Sequence, residues 1–197
     1  MAMIGSNVAV QARVASELSV SPDALDFENA TKLRYTQASI KEAQRLYPVV
    51  AMSLSRTVPA TGLRLHGHSF PSGTTVGCSP LAFHRNKDIF GRDADGFNPE
   101  RWLDSEAARR MDRCNLIWGG APRTCPGRHL AELIIYKAVP ALLREFELQV
   151  DVPPTGDFRF YFMAMLTGVR ARFVSREESV CPRRLEGKEQ EHDGSTA

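Results

Sequence analysis

Trp118-Gly-Gly-Ala-Pro-Arg-Thr-Cys125-Pro-Gly127 is the stretch whose reading decides what this chain is. A single cysteine sits in a Gly/Pro-rich loop, with Arg123 two residues before it and Gly127 two after. An apolar helical run, Leu130 to Leu143, follows at once. A helix start offers free N–H groups and the positive end of the macrodipole, which favour a thiolate over a thiol. Pro126 suits a first helical turn, where its missing N–H costs nothing. Gly127, without a Cβ, lets a flat ligand approach the backbone. A thiolate held this way is a candidate proximal ligand for haem iron. An isolated cysteine near a helix start is ordinarily a buried structural thiol. The whole ten-residue loop moves the reading to a metal ligand.

Two more segments stand upstream in a meaningful order. Glu42-Ala-Gln-Arg45 puts a carboxylate and a guanidinium three residues apart, on one face of a helix. Phe97-Asn-Pro-Glu-Arg101-Trp supplies a second Arg. A buried carboxylate needs planar, permanently charged partners, which favours Arg over Lys. The three segments together resemble the signatures of the cytochrome P450 family: its Glu-x-x-Arg helix, its Pro-Glu-Arg segment and its haem-binding loop. The resemblance runs from about Asn7 to Phe173. It implies that Glu42, Arg45 and Arg101 form one buried network that locks the loop ahead of Cys125. The expected fold is mainly α with small β-sheets (α+β), the C-terminal portion of the P450 fold. Two loop positions depart from the family pattern. Trp118 replaces the usual Phe and keeps an aromatic platform. Ala121 replaces a usual Gly, a steric cost if φ there is positive.

Further roles follow from the same resemblance. Cys125 is the expected iron ligand of haem b, and Arg123 the expected partner of one haem propionate. Arg56 stands at the spacing of a second propionate-binding Arg. Trp118 and Gly127 complete the expected cofactor-binding set. Val49, Val50, Ala51 and Met52 align with one substrate-contacting segment, and Met163 and Met165 with another; as apolar runs, both also read as plain core. Arg128 and Lys137 read either as part of a basic face for a reductase or as a solvated helix face. The family chemistry is monooxygenation of a lipophilic small molecule, with electrons from NADPH through a flavin-containing reductase. Phe83-His-Arg-Asn-Lys-Asp-Ile-Phe-Gly91 and Ala138-Val-Pro-Ala-Leu-Leu-Arg-Glu-Phe-Glu147 resemble filamentous-fungal members, which often serve secondary metabolism.

The family's catalytic domain is more than twice this long. The resemblance therefore implies a piece without the central oxygen-activating helix, the N-terminal half or the membrane anchor, and no residue here is assigned a catalytic role. A non-catalytic remnant, binding haem weakly or acting as an interaction module, is the alternative expectation. Formal net charge is +2 over 197 residues, so there is no electrostatic case for nucleic acid. No apolar run of membrane-spanning length exists, and Met1 to Ala12 does not read as a signal peptide. The family's usual endoplasmic-reticulum anchoring thus gives way to an expectation of a soluble cytoplasmic or peripheral chain. Cys78, Cys114, Cys125 and Cys181 are scattered, with no zinc or redox spacing, and fit a reducing compartment. His66, His68, His84, His129 and His192 show no ligand spacing, and the first two read as strand surface.

Residues 1–174 read as one partial domain and 175–197 as a disordered polar tail. Asn7 caps a helix to Leu18, and Ser21-Pro-Asp with Asp26 marks a break. Ala30 to Leu46 reads as a longer helix stopped by Pro48. Leu63 to Val76 reads as two short strands around His66-Gly-His68, with Pro71-Ser-Gly73 as a turn, and Ser79 to His84 as a short helix. Lys87 to Asp104 reads as a loop. Leu130 to Phe146 reads as a helix that Pro140 should kink. Phe158–Phe162 and Val169–Phe173 read as a terminal hairpin turning near Thr167-Gly168.

Overall fold

The fold is built around one helix, α4, that carries two charged residues on its buried face. The computed structural model describes residues 1–21, 23–120, 122–151, 158–160 and 163–176. Its first three helices are α1 (Ala2–Gly5), α2 (Val8–Ser19) and α3 (Phe27–Ala30), and α4 spans Arg34–Leu46. As expected, Asn7 caps α2, its side chain accepting from the Val10 N–H at 3.1 Å. The helix read as Ala30–Leu46 divides, with a turn at 31–33 between α3 and α4. The divider is Glu17 on α2. Its carboxylate accepts from the N–H groups of Tyr35 (2.9 Å) and Thr36 (2.8 Å) and from the Thr36 hydroxyl (2.7 Å). Leu33, at the N-cap, has no side chain to do this. A carboxylate at a helix start also meets the positive dipole end.

Tyr35, Ala38, Ser39, Glu42, Arg45 and Leu46 recur at helical spacing and all are buried. They face two apolar clusters. Tyr35 joins Ile4, Val10, Val14, Leu18, Leu143 and Leu148; Ala38 joins Phe90, Ala94, Trp102 and Met111. The second cluster comes largely from the stretch read as a loop. Lys87–Phe90 forms α6, after α5 (Pro80–Phe83), and Pro99–Trp102 forms a 3₁₀ turn. Next comes α7 (Ser105–Arg113), a helix the sequence reading did not assign. Asp104 caps it, accepting from the N–H groups of Glu106 and Ala107.

The last helix, α8, spans Arg128–Glu145 and carries the buried Pro140 within it. Phe146, assigned to this helix from sequence, instead opens strand β5 (Phe146–Asp151). The other strands are β1 (Leu54–Thr57), β2 (Leu63–Leu65), β3 (His68–Phe70), β4 (Thr75–Cys78), β6 (Phe158–Phe160), β7 (Ala164–Leu166) and β8 (Arg170–Ser175). They form antiparallel pairs β1–β4, β2–β3, β5–β8 and β6–β7. The expected terminal hairpin is thus corrected. β6 turns back onto β7, and β8 returns to β5, which the apolar helical run had hidden. Leu148, 2% exposed, sets that pairing, and the Phe146 and Phe173 rings meet edge to face at 5.8 Å. Gln11 on α2 clamps β5 through its amide, donating to the Leu148 carbonyl and accepting from the Leu148 N–H. β2 and β3 turn at His66-Gly67, both with positive φ, as a two-residue hairpin requires. His66 is therefore a turn residue rather than strand surface. β8 continues through Ser175. The rest of the expected tail, from residue 177 on, lies outside the described residues, with Cys181 and His192.

Candidate functional site

Glu42 and Arg45 are fully buried, and the Arg101 side chain is 7% exposed. Arg45 Nε and Nη2 donate to the two Glu42 oxygens at 2.9 and 2.8 Å. Its remaining donors reach the carbonyls of His84 (2.6 Å), Ala94 (2.6 Å) and Gly96 (3.1 Å). Glu42 accepts further from Arg101 Nε (3.0 Å), Trp102 Nε1 (2.9 Å) and the Asn98 N–H (2.9 Å). Arg101 also reaches Asp93 and the Phe90 carbonyl. Burial alone pushes the Glu42 carboxyl up. The hydrogen bond and charge of Arg45, with the Asn98 and Trp102 donors, outweigh it and hold the group below its ordinary value. One charged knot therefore fixes α4 against the stretch from Phe90 to Trp102.

The cysteine loop hangs from its own backbone bonds. Gly119 N–H donates to Leu116 O (2.9 Å), Arg123 N–H to Gly120 O (2.7 Å) and Cys125 N–H to Trp118 O (2.8 Å). Gly119 is obligatory: its φ is +75°, and an added Cβ would stand 2.8 Å from the Arg123 carbonyl oxygen. At Gly127 φ is −85°, and an added Cβ would meet Cys125 Sγ at 3.9 Å. The backbone there does not demand glycine, so what its missing Cβ leaves open is space beside the sulfur. Ala121, the second departure from the family pattern, lies outside the described residues.

A cavity of about 450 Å³ opens beside the loop. Cys125, Arg123 and Trp118 line it, together with Val49, Val50, Leu54, Ile117, Ala131 and Ile135. The volume is within the range of cofactor sites, and the wall is apolar with one guanidinium. Among the described residues no group of three or more His, Cys, Asp or Glu is placed to hold a metal ion. A flat apolar macrocycle with acidic edges fits this apolar wall and its Arg, with Cys125 as the candidate iron ligand.

The expected residues fall into three groups. Cys125, Arg123, Trp118, Val49 and Val50 share the cavity. Glu42, Arg45 and Arg101 form the network behind it. Val49 and Val50 also meet the second expected segment, with Ala164 N–H donating to Val49 O at 2.7 Å and Val50 bridging Met163. Met52, Met163 and Met165 are about half exposed. Ala51 is core, 4% exposed, its carbonyl accepting from the Ser79 hydroxyl. Arg56 lies outside the cavity wall and donates to the carbonyl of its neighbour Ser55 at 2.8 Å. It does share a strand face with Leu54, which lines the cavity. Arg128 is paired with Glu132 at 2.8 Å on the exposed side of α8.

Sequence reasoning passed over Gly119 and His84. Gly119 was one of two adjacent glycines, and only the backbone dihedral separates them. His84 was judged by metal spacing; the overlooked signal was a histidine set between Phe83 and Arg85 at the end of a capped apolar turn.

A cysteine in the wall of an apolar, arginine-edged cavity and a buried Glu–Arg–Arg network are the two features the three sequence segments led one to expect. Comparison with known proteins agrees. The family description "Cytochrome P450" matches residues 2–167. The chain is 56% identical over 196 residues to cytochrome P450 monooxygenase sdnT of Sordaria araneosa, covering 89% of this chain and 35% of that protein. It is 38% identical over 141 residues to a pisatin demethylase of Fusarium vanettenii, covering 71% of this chain and 28% of that protein. A crystal structure of a cytochrome P450 (CYP102L1) superposes with a TM-score of 0.72 at 24% identity, over 88% of this chain and 40% of that one. This chain belongs to the cytochrome P450 family. It spans about a third of the length of the curated relatives it matches. No helix among the described residues is long and apolar enough to cross a membrane.

Proposed function

We propose that this chain forms the haem-holding portion of a monooxygenase that inserts one oxygen of O2 into a lipophilic small molecule, in fungal secondary metabolism. The observation that carries the reading is the shared cavity of Cys125 and Arg123, set in an apolar wall. Haem, when bound, would supply the oxygen-activation chemistry, which a thiolate ligand would promote by donating electron density to the iron. Cys125 supplies that thiolate, at the foot of α8. Arg123 would pair with a propionate, and Arg56, on the strand face it shares with Leu54, would be the candidate for a second. Trp118 lines the same cavity as the sulfur and would offer its ring to the macrocycle. Val49, Val50, Ala131 and Ile135 share the cavity wall with the sulfur and offer an apolar surface to substrate, with Met163 beside Val50. NADPH acts at one remove, through a flavin-containing reductase. Residues 1–174 work as one part of the family's catalytic domain.

The test is the ferrous–CO difference spectrum of the haem-reconstituted chain. A thiolate-type band is expected, and Cys125→Ser should abolish it. A band unchanged in that variant overturns the assignment and moves it to Cys114. A second reading, a haem-binding module without turnover, draws on one observation. Val49, Met52, Leu130, Ile134, Met163 and Met165 are each more than half exposed, leaving large apolar side chains open to solvent. Coupled NADPH-dependent hydroxylation of a lipophilic panel by these 197 residues with added reductase contradicts that second reading.

A further inference from the structure

His84, at the end of α5, is fully buried, and both ring nitrogens are engaged. Nδ1 lies 3.2 Å from the Arg45 carbonyl oxygen, and the Leu116 N–H donates to Nε2 at 2.9 Å. The His84 carbonyl meanwhile accepts from Arg45 Nη1 at 2.6 Å. The ring packs edge on against Phe90 at 5.8 Å. A backbone N–H only donates and a backbone carbonyl only accepts, so one tautomer satisfies both contacts: proton on Nδ1, lone pair on Nε2. Leu116 is the residue at which the chain enters the cysteine loop. Its carbonyl receives the Gly119 N–H, and the next turn ties Cys125 N–H to Trp118 O.

We infer that His84, as the Nδ1–H tautomer, is a positioning residue that ties the Glu42/Arg45 helix to the start of the cysteine loop. The charged knot by itself reaches the His84 carbonyl and the stretch from Phe90 to Trp102. The imidazole carries that fixed point on to Leu116, nine residues before Cys125. Burial, with the cations of Arg45 and Arg85, pushes the ring down to about 4, against the hydrogen bond that Nδ1–H donates to the Arg45 carbonyl, which raises it. The charged groups around the ring are Arg45, with Glu42 behind it on α4, and Arg85, which Asp95 approaches at 3.9 Å. From α6 comes the Phe90 ring, and from the incoming segment the Leu116 N–H. An imidazolium would set an N–H against the Leu116 N–H and release the loop.

The meaning given to Leu116 rests on the proposed role of the Cys125 loop, but the test needs no haem, so the two fail separately. A Gln side chain places its carbonyl near the position of Nε2 and keeps the acceptor for Leu116. Asn places its amide near Nδ1 and keeps only the donor to Arg45. Amide exchange of the 197-residue chain is the readout. Leu116 in His84→Gln should stay as protected as in the unaltered chain. In His84→Asn it should exchange at least about fivefold faster, the factor that one typical net hydrogen bond corresponds to. The buried Leu143 amide should change little between the two variants. Equal protection of Leu116 in His84→Asn and the unaltered chain overturns the inference. If either variant fails to fold, ¹⁵N imidazole spectra of the unaltered chain decide. A protonated Nδ1 and bare Nε2 at neutral pH support it, and the opposite tautomer overturns it.

Discussion

Arg45→Ala is the perturbation with the largest consequence. The side chain is fully buried and makes five hydrogen bonds, two to Glu42 and three to the carbonyls of His84, Ala94 and Gly96. Truncation leaves those carbonyls without this donor. Glu42 keeps Arg101, Trp102 and Asn98 as donors but loses its closest positive charge. Stranding one partner of a buried ion pair costs about 3–5 kcal/mol. Total stability is typically only about 5–15 kcal/mol, so much of the margin is gone. For a chain of this size each kcal/mol moves Tm by about 2–4 °C, so a fall of about 6–20 °C is expected. Arg45→Lys should recover little of it, because three donors on a flexible stem cannot reproduce a planar fork with five. The assay is thermal unfolding by circular dichroism on freshly purified protein, with soluble yield recorded alongside. A Tm within about 2 °C of the unaltered chain, below the shift for 1 kcal/mol, would refute the buried-network reasoning.

Three further outcomes follow from other parts of the molecule. Gly119→Ala forces a Cβ into a φ of +75° against the Arg123 carbonyl, and should cost about 1–2 kcal/mol in urea unfolding and weaken haem retention; Gly120→Ala, with nothing within 4 Å of its added Cβ, should do far less. Acid should destabilise the fold in two stages. His84 is pushed down to about 4 when folded, against an unfolded value near 6.5, so its contribution is complete above that value and is lost as pH falls toward 4. Glu42, held low, contributes above its ordinary 4.5 and is lost below it. Stability measured at steps from pH 7 to pH 4 should fall by up to about 1.4 kcal/mol per unit per proton, and His84→Gln should flatten the upper stage; a flat profile in the unaltered chain contradicts both assignments.

The motif-bearing parts of this fold were legible because their chemistry is local. A cysteine before an apolar helix and an Arg three residues after a Glu read directly as α8 and α4. What stayed hidden depends on distant partners. The start of α4 is set by Glu17, and β5 exists because β8 and Gln11 pair with it; neither leaves a periodic trace. α7 begins at an ordinary Asp cap, but only Met111 of its residues is buried. Of the site, Cys125, Arg123 and Trp118 came from the loop itself and Val49 and Val50 from the segment after α4, whereas Arg56 was placed by spacing alone and sits on the strand face it shares with Leu54. His84 escaped because its partners are backbone groups of Arg45 and Leu116, and such partners have no residue type to recognise.

Iron-edge X-ray absorption on the haem-loaded chain tests the central claim most directly, since it counts the sulfur atoms bound to iron. One sulfur scatterer in the unaltered chain and none in Cys125→Ser is the predicted result. A sulfur that persists in Cys125→Ser, or an iron without sulfur in the unaltered chain, would contradict the account.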